Sequence, residues 1–332
     1  MRNINLDIIR CIAIIFVICI HSMGKLNESI NISIIDINYC MYIFLSSIIY
    51  MGVPLFVMLS GALLLGKNEE PHFFLKKRFK RILIPFFIWS MIVFSLDKII
   101  NDQSFYDIQS ISEFFIKFLT NGVHGIYWYI YMLIGLYLLT PIIQKVFDHI
   151  SLELCNYFII LIILFITIQY ITPQIYEEKS LLFKYSFPYL IYLGYYIGGY
   201  YLYTYAIKFK NFQKIATYSF IIFYLIGIIN TIKPFTTIPF QFYQSLFFFG
   251  MLLCIKLKSL NSNKQAIIVF ISNTSYGIYL SHFLFISILC KTGIEQTIPA
   301  YLVPILITLI VVCLEIGLQF SIKYLKLEKL LQ

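Results

Sequence analysis

Ten apolar stretches, each close to the length of a membrane span, follow one another along the chain with short islands of charge between them. A helix that crosses a bilayer needs about 20 mostly apolar residues, because the hydrocarbon core is about 30 Å thick. The chain is 60% hydrophobic and 12% charged, whereas soluble chains are about 45–50% apolar and about 25% charged. We therefore predict an all-α, polytopic integral membrane protein with about ten transmembrane helices. The expected spans are at about 8–24, 42–65, 82–98, 126–145, 155–173, 187–205, 215–232, 238–255, 267–289 and 299–322.

The lysine and arginine residues predict the orientation of these spans. With the amino terminus on the inner side, 18 of the 25 basic residues fall on inner segments, as the positive-inside rule requires. We therefore expect both termini in the cytoplasm. The net charge of +9 then reflects topology and contact with membrane lipids, so it predicts no nucleic-acid partner.

We expect a single membrane domain over residues 1–332. The apolar run that follows Arg2 and Arg10 is similar to a secretory signal, but no convincing cleavage site follows it, so we predict a retained first span. The seven cysteines include no CxxC pair and lie almost entirely in apolar runs. This pattern predicts small buried side chains and no metal site.

Arg10 and His21 are polar residues within the first predicted span. Charged or titratable groups inside a span are costly and are therefore candidates for function. At this spacing they lie about 20° apart around a helix and about 16 Å apart along it, so they share one face at two depths. Each alone also has a simpler explanation, as an arginine that snorkels to the inner surface and a histidine at a helix end.

The basic segment 73–90 predicts a second polar site, on the inner side of the membrane. Arg78 and Arg81 are three residues apart, so one helical turn presents both on one side. The forked donors of a guanidinium match the oxygens of phosphate. The same cluster also suits a topology anchor that contacts anionic lipid headgroups.

Three further residues lie in or beside the predicted spans. His282, in the ninth span, falls at a depth similar to that of His21, and a structural role is its simpler interpretation. Glu315, in the last span, has Arg10, a histidine or a neighbouring helix as candidate partners. The simplest interpretation of Trp128 is an anchor at the interface between membrane and water.

The first span resembles the opening of acyltransferase family 3, a family of integral membrane O-acyltransferases. The family carries an arginine and a histidine with ten residues between them, and Arg10 and His21 match that spacing. Asp7 matches the acidic residue that is often found before the arginine.

Later segments extend this resemblance, in order, over essentially the whole chain. The matching pieces are the Ser60-Gly61 pair within 51–67, the RxxR motif of Arg78 and Arg81, the fourth-span segment 127–143 and the GIYL-x-H segment 275–286. The end of the chain lacks the proline that often follows the family's last glutamate. We expect the short form of the family, without an extracytoplasmic catalytic domain.

The resemblance implies an enzyme that transfers an acyl group other than aminoacyl, usually acetyl. The donor would be cytoplasmic acyl-coenzyme A, and no resident cofactor is implied. The acceptor would be a sugar hydroxyl of a bacterial cell-envelope polysaccharide or its lipid-linked precursor, at the cytoplasmic membrane. Arg78 and Arg81 would hold the donor phosphates, and Arg10 would hold the coenzyme arm.

The positions of the two histidines in the predicted layout lead to hypotheses for their roles. His21 would accept the proton of the sugar hydroxyl or carry the acyl group covalently. His282 would orient His21, bind the sugar or polarise the carbonyl. Four residues are expected to support the site: Asp7, Ser60, Trp128 and Glu315.

An exporter or flippase of a cell-surface glycan is the alternative function. Ten spans, inward charges and many aromatic residues suit transport as well. Transport does not require a phosphate-binding arginine pair at the inner surface, so the basic cluster favours the enzyme.

Overall fold

Helices account for all regular secondary structure in the part of the chain that the structure describes. The computed structural model describes residues 2–29, 36–67, 69–100, 107–120, 122–148, 151–175, 190–232, 240–255 and 261–332. Within these ranges the helices of the first half are α1 (Ile4–His21), α2 (Gly24–Glu28), α3 (Ile37–Ile49), α4 (Gly52–Leu64), α5 (Pro71–Ile100), α6 (Ile108–Leu119) and α7 (Trp128–Asp148). Those of the second half are α8 (Leu152–Ile175), α9 (Leu190–Thr204), α10 (Phe212–Ile232), α11 (Phe240–Leu253), α12 (Ser262–Lys291), α13 (Val303–Tyr324) and α14 (Glu328–Leu331).

Seven helical segments among the described residues are long and apolar enough to cross a membrane. They are Ile4–His21, Ile37–Leu64, Pro71–Ile99, Gly125–Phe147, Phe212–Asn230, Ser262–Lys291 and Val303–Tyr324. The prediction of an all-α, polytopic membrane protein is therefore confirmed. The count of about ten spans and the cytoplasmic position of both termini stay predictions.

The boundaries of several predicted spans differ from the helices. The span expected at 42–65 is divided into α3 and α4, with Tyr50 and Met51 between them. The spans expected at 187–205 and 238–255 begin outside the described residues.

The basic segment and the third span form one continuous helix, α5. Pro71 is its first residue, where the missing backbone N–H would have had no partner inside the helix. Further along, Phe86 and Trp89 are buried in the core. Arg78 and Arg81 therefore lie on a helix that is anchored by its own apolar second half.

Helix α1 lies in the middle of the bundle, in contact with α4, α11, α12 and α13. Asn3 caps its start by accepting a hydrogen bond from Asn5 N at 3.0 Å. Ser22 follows its end and donates from Oγ to Ile18 O at 2.9 Å. Since these helices pack around α1, its residues Arg10 and His21 are held in fixed positions.

Two glycines allow α4 and α9 to cross with their backbones in contact. A Cβ on Gly61 would lie 1.7 Å from Tyr196 O, and a Cβ on Gly199 would lie 2.1 Å from Met58 O. Small residues are how membrane helices achieve such close approach.

Two tyrosines fasten the start of α7 to α12. The Tyr127 hydroxyl donates to Leu280 O at 3.1 Å, and the Tyr279 hydroxyl donates to Ile126 O. The turn just before α7 and helix α12 thus each supply a donor for a backbone carbonyl of the other, which fixes their relative position.

We expect Gly199→Ala to lower the free energy of unfolding by more than about 3 kcal/mol, the upper end of the usual cost of overpacking. The reason is that the new methyl group would overlap backbone atoms of Met58, which cannot rotate away. Thermal unfolding of the detergent-purified protein measures this. Gly135→Ala is the matched control, because nothing outside its own stretch of helix would lie within 4 Å of a Cβ at that position. A melting temperature for Gly199→Ala equal to that of the control would contradict the prediction.

Candidate active site

A cavity of about 270 Å³ opens between α1, α4, α5, α7 and α12, and we call it the arginine cavity. Its cationic lining residues are Arg10, Lys67, Arg78 and Arg81. No acidic side chain is among the described residues that line it. The arrangement therefore attracts anions, and Ser60 of α4 adds a hydroxyl to the same lining.

Arg78 has donors that no described residue uses. Its side chain is 12% exposed, and its Nε and Nη2 atoms are buried without a hydrogen-bond partner. Glu69 Oε2 is 3.7 Å from Nη2, and the Phe74 ring lies 5.4 Å from the guanidinium carbon. Arg81 is exposed and makes no ion pair with the described residues. Since a buried donor without an acceptor costs about 1–3 kcal/mol, these donors favour a bound oxyanion.

A short network holds Arg10 in place. Arg10 Nη1 donates to Ser272 Oγ at 3.0 Å, and Ser272 Oγ donates to Asp7 Oδ1 at 2.6 Å. Arg2 binds the same carboxylate through two nitrogens at 2.6 and 2.7 Å, and this hydrogen bonding raises the pKa of Arg2. Because Asp7 is neutralised by Arg2, the charge of Arg10 is available to the cavity.

A second cavity, of about 370 Å³, contains His21 and is called the histidine cavity. Most of its remaining walls are aromatic or apolar, and Gln241 supplies an amide. The aromatic lining residues are Tyr50, Trp128, Tyr129, Tyr192, Tyr195 and Tyr279. Small-molecule sites are typically lined by aromatic and apolar side chains, together with a small number of amide or charged groups.

His282 lies beside His21, with their ring centroids 5.3 Å apart and their planes tilted by 42°. It is fully buried on α12, and its Nδ1 is 2.8 Å from Tyr279 O and 3.2 Å from Ile278 O. Among the described residues, His282 is not part of either cavity lining. The structure thus brings together the two histidines that sequence reasoning selected, but only His21 opens to a cavity.

A third histidine, His124, was not among the predicted site residues. Its ring centroid is 4.0 Å from that of Phe283, whose ring in turn lies 6.3 Å from His21. Burial lowers the pKa of His124, although the charge of Asp97 acts in the opposite direction. The sequence signal was available, since His124 stands just before the aromatic start of α7, but only the folded bundle brings it near His21.

Tyr129 and Tyr279 line both cavities, with ring centroids 5.3 Å apart. These two rings therefore form a partition between the arginine cavity and the histidine cavity. Arg10 and His21 lie on opposite sides of it, as their predicted separation along one helix requires.

One protein family matches this chain: the model described as an acyltransferase domain, acyltransferase family 3, matches residues 3–317 of 332. The chain belongs to acyltransferase family 3. No curated protein and no solved structure matches it. Together with the apolar helices, the match makes the chain a membrane acyltransferase and confirms the resemblance seen in the sequence.

The remaining predicted residues of this acyltransferase are divided between the two cavities and the core. Ser60 lines the arginine cavity and donates from Oγ to Phe56 O at 3.0 Å. Trp128 lines the histidine cavity, with its ring 5.5 Å from that of Tyr192. Within the described residues, no group of three histidine, cysteine, aspartate or glutamate side chains is arranged to hold a metal.

Glu315 of the acyltransferase is fully buried on α13, away from both cavities. It accepts a hydrogen bond from Ser281 Oγ at 2.8 Å and one from Gln319 Nε2 at 3.3 Å. Of the three candidate partners, the one that Glu315 binds is a neighbouring helix, α12. Glu315 therefore joins α13 to α12 through Ser281.

We expect Ser281→Ala to lower the free energy of unfolding by about 1–3 kcal/mol, because the buried Glu315 carboxyl loses its interhelical partner. Glu315→Gln should stay close to wild type, since the amide retains an oxygen acceptor and gains a donor for Ser281 Oγ. Thermal unfolding in detergent compares the two variants. Equal melting temperatures for Ser281→Ala and wild type would show that this hydrogen bond does not matter.

Proposed function

We propose that the chain transfers an acetyl or other acyl group from cytoplasmic acyl-coenzyme A to a sugar hydroxyl. The acceptor is a bacterial cell-envelope polysaccharide or its lipid-linked precursor, and the site lies in the cytoplasmic membrane. One observation carries the proposal: a cationic cavity and a histidine-containing cavity meet at a thin aromatic partition. The cationic cavity suits a phosphate-rich donor, and the histidine-containing cavity suits a hydroxyl acceptor.

The arginine cavity supports acyl-coenzyme A as the donor. Coenzyme A carries a pyrophosphate and a ribose phosphate, and guanidinium groups bind phosphate oxygens through paired, charge-assisted hydrogen bonds. Arg78 and Arg81 hold these phosphates, and Arg10 lies deeper along the coenzyme arm. The unused donors of Arg78 are the strongest support for this role.

The histidine cavity supports a sugar as the acceptor. Aromatic rings such as Trp128 and Tyr192 offer flat apolar faces to a sugar ring, and Gln241 with the tyrosine hydroxyls offers hydrogen bonds to its oxygens. His21 supplies a basic nitrogen in the same space.

His21 acts as the general base in the direct reaction. Its unprotonated nitrogen takes the proton of the sugar hydroxyl while that oxygen attacks the thioester carbonyl. A C–O bond forms and the C–S bond breaks. The coenzyme A thiolate leaves and takes up the proton from His21. To reach His21, the thioester must pass between or beside the rings of Tyr129 and Tyr279.

His21→Ala should reduce acyl transfer to the background, at least about 100-fold below wild type, because general-base catalysis contributes about 10²–10⁴-fold. The measurement is the mass of envelope glycan from cells that lack the gene and carry wild type or the variant. His72→Ala is the control, because His72 is an exposed histidine at the start of α5. Wild-type levels of glycan acylation with His21→Ala would overturn the mechanism.

A second measurement separates direct transfer from an acyl-histidine route. Purified wild type incubated with acyl-coenzyme A in the absence of acceptor should show no added acyl mass on the peptide that contains His21. A stable acyl adduct on that peptide would establish the covalent route instead.

Arg78→Ala and Arg81→Ala should each weaken acyl-coenzyme A binding by at least about 10-fold, since a charge-assisted hydrogen bond contributes about 1.5–3 kcal/mol. Calorimetry on the detergent-solubilised protein measures the dissociation constant. Lys76→Ala, an exposed lysine of the same helix outside the cavity, should bind as wild type does.

The binding experiment also tests the alternative function. A glycan exporter has no need for acyl-coenzyme A. Absence of measurable binding to the wild-type protein, with unacylated glycan accumulating inside cells that lack the gene, would favour the exporter.

A further inference from the structure

His282 is held in one tautomer by the backbone of its own helix. Its Nδ1 lies 2.8 Å from Tyr279 O and 3.2 Å from Ile278 O. A backbone carbonyl can only accept a hydrogen bond, so Nδ1 must carry the proton. In the neutral ring, Nε2 is then an unprotonated acceptor.

That acceptor has no partner among the described residues. His282 Nε2 is buried and makes no hydrogen bond. A buried polar atom without a hydrogen-bond partner lowers the stability of the folded protein, so each such atom in a native protein needs an explanation. Two rings lie beside the His282 ring: that of His21, at 5.3 Å between centroids, and that of Tyr279, at 5.9 Å.

His21 is placed so that one side of its ring faces α12 and another faces the histidine cavity. His282 and Phe283, both on α12, contact its ring, and Phe283 meets it edge-on at 6.3 Å. His21 also lines the cavity. In a neutral histidine one nitrogen donates and the other accepts, so the group that faces α12 decides which nitrogen faces the cavity.

The His21–His282 bond is not formed in the structure, where the two ring centroids are 5.3 Å apart and Nε2 has no partner among the described residues. We propose that His282 is a positioning residue: a rotation of the His21 ring lets the bare Nε2 accept the N–H of His21, so that the unprotonated nitrogen of His21 faces the histidine cavity. The proposal rests on the proposed function, because it explains why His21 presents a base to an acceptor hydroxyl. A partner that fixes the tautomer of a functional histidine is a general device in enzymes and metal sites. His282 itself does not touch the substrate.

Two substitutions separate the acceptor from the rest of the ring. His282→Gln places an amide oxygen near the position of Nε2 and retains an acceptor for His21. His282→Asn places an amide N–H near the position of Nδ1, which preserves the bond to the carbonyls, but leaves no acceptor facing His21. We expect His282→Asn to lower kcat by about 10–100-fold, the usual effect of removing such a partner. We expect His282→Gln to keep kcat within a few-fold of wild type, and neither variant to change the KM for acyl-coenzyme A.

The tautomers give a readout that is independent of activity. Nitrogen-15 NMR of histidine-labelled protein has only five histidines to resolve, and the His282 variants assign the His282 signals. Wild type should show His282 protonated at Nδ1 and bare at Nε2, with His21 in a single tautomer. His21 should lose its single tautomer in His282→Asn and keep it in His282→Gln, whereas His72→Asn should leave the His21 signals unchanged.

Several results would overturn the proposal. One is wild-type kcat in His282→Asn, and another is a protonated Nε2 on His282. Equal loss of kcat in both variants, with the His21 tautomer unchanged, would mean that His282 itself moves a proton. If wild type transfers no acyl group at all, the proposed function fails, and the NMR result alone decides whether His282 fixes the His21 tautomer.

Discussion

Helix α1 sets the one distance on which the candidate site depends. It places Arg10 and His21 about 16 Å apart on one face, and α4, α11, α12 and α13 surround it. Because a helix does not stretch, the cationic site and the basic nitrogen cannot approach each other. Under the proposed function, a donor bound at Arg10 must therefore reach toward His21 through the bundle, and each of the two residues lines one of the two cavities.

The other helices are positioned around α1 by polar contacts that a bilayer makes effective, since no lipid group competes for a backbone carbonyl. The Tyr127 and Tyr279 hydroxyls bind carbonyls across the α7–α12 contact. Elsewhere in the bundle, Gly61 and Gly199 bring α4 and α9 into backbone contact. The cavity walls around α1 are thus fixed by main-chain geometry.

Local features of the site were predictable from the sequence, and contacts between distant helices were not. Helix geometry alone placed Arg10 and His21 on one face, and spacing alone paired Arg78 with Arg81. His282 was selected as a span histidine at a depth similar to that of His21, but depth alone does not say that the two rings would meet. The partner of Glu315 depends on which helix lies beside α13, and periodicity carries no such information.

The division of α3 from α4 was missed for a similar reason. Residues 42–65 are apolar almost throughout, so hydropathy gives no sign of a break at Tyr50 and Met51. His124 was passed over because it stands outside the apolar run of α7, where a loop histidine is unremarkable. Hydropathy alone thus shows neither the break between α3 and α4 nor the rings that lie near His124.

The tyrosine partition has a consequence for the membrane as well as for the reaction. The two cavities, each with polar groups in its lining, would form a path for water and ions through the bundle if they joined. Tyr129 and Tyr279 stand between them, and Tyr279 is held by its bond to Ile126 O. Each ion that leaked would dissipate about 2.3 kcal/mol per 100 mV of membrane potential. The two rings that separate the cavities therefore also stand across any such path for ions.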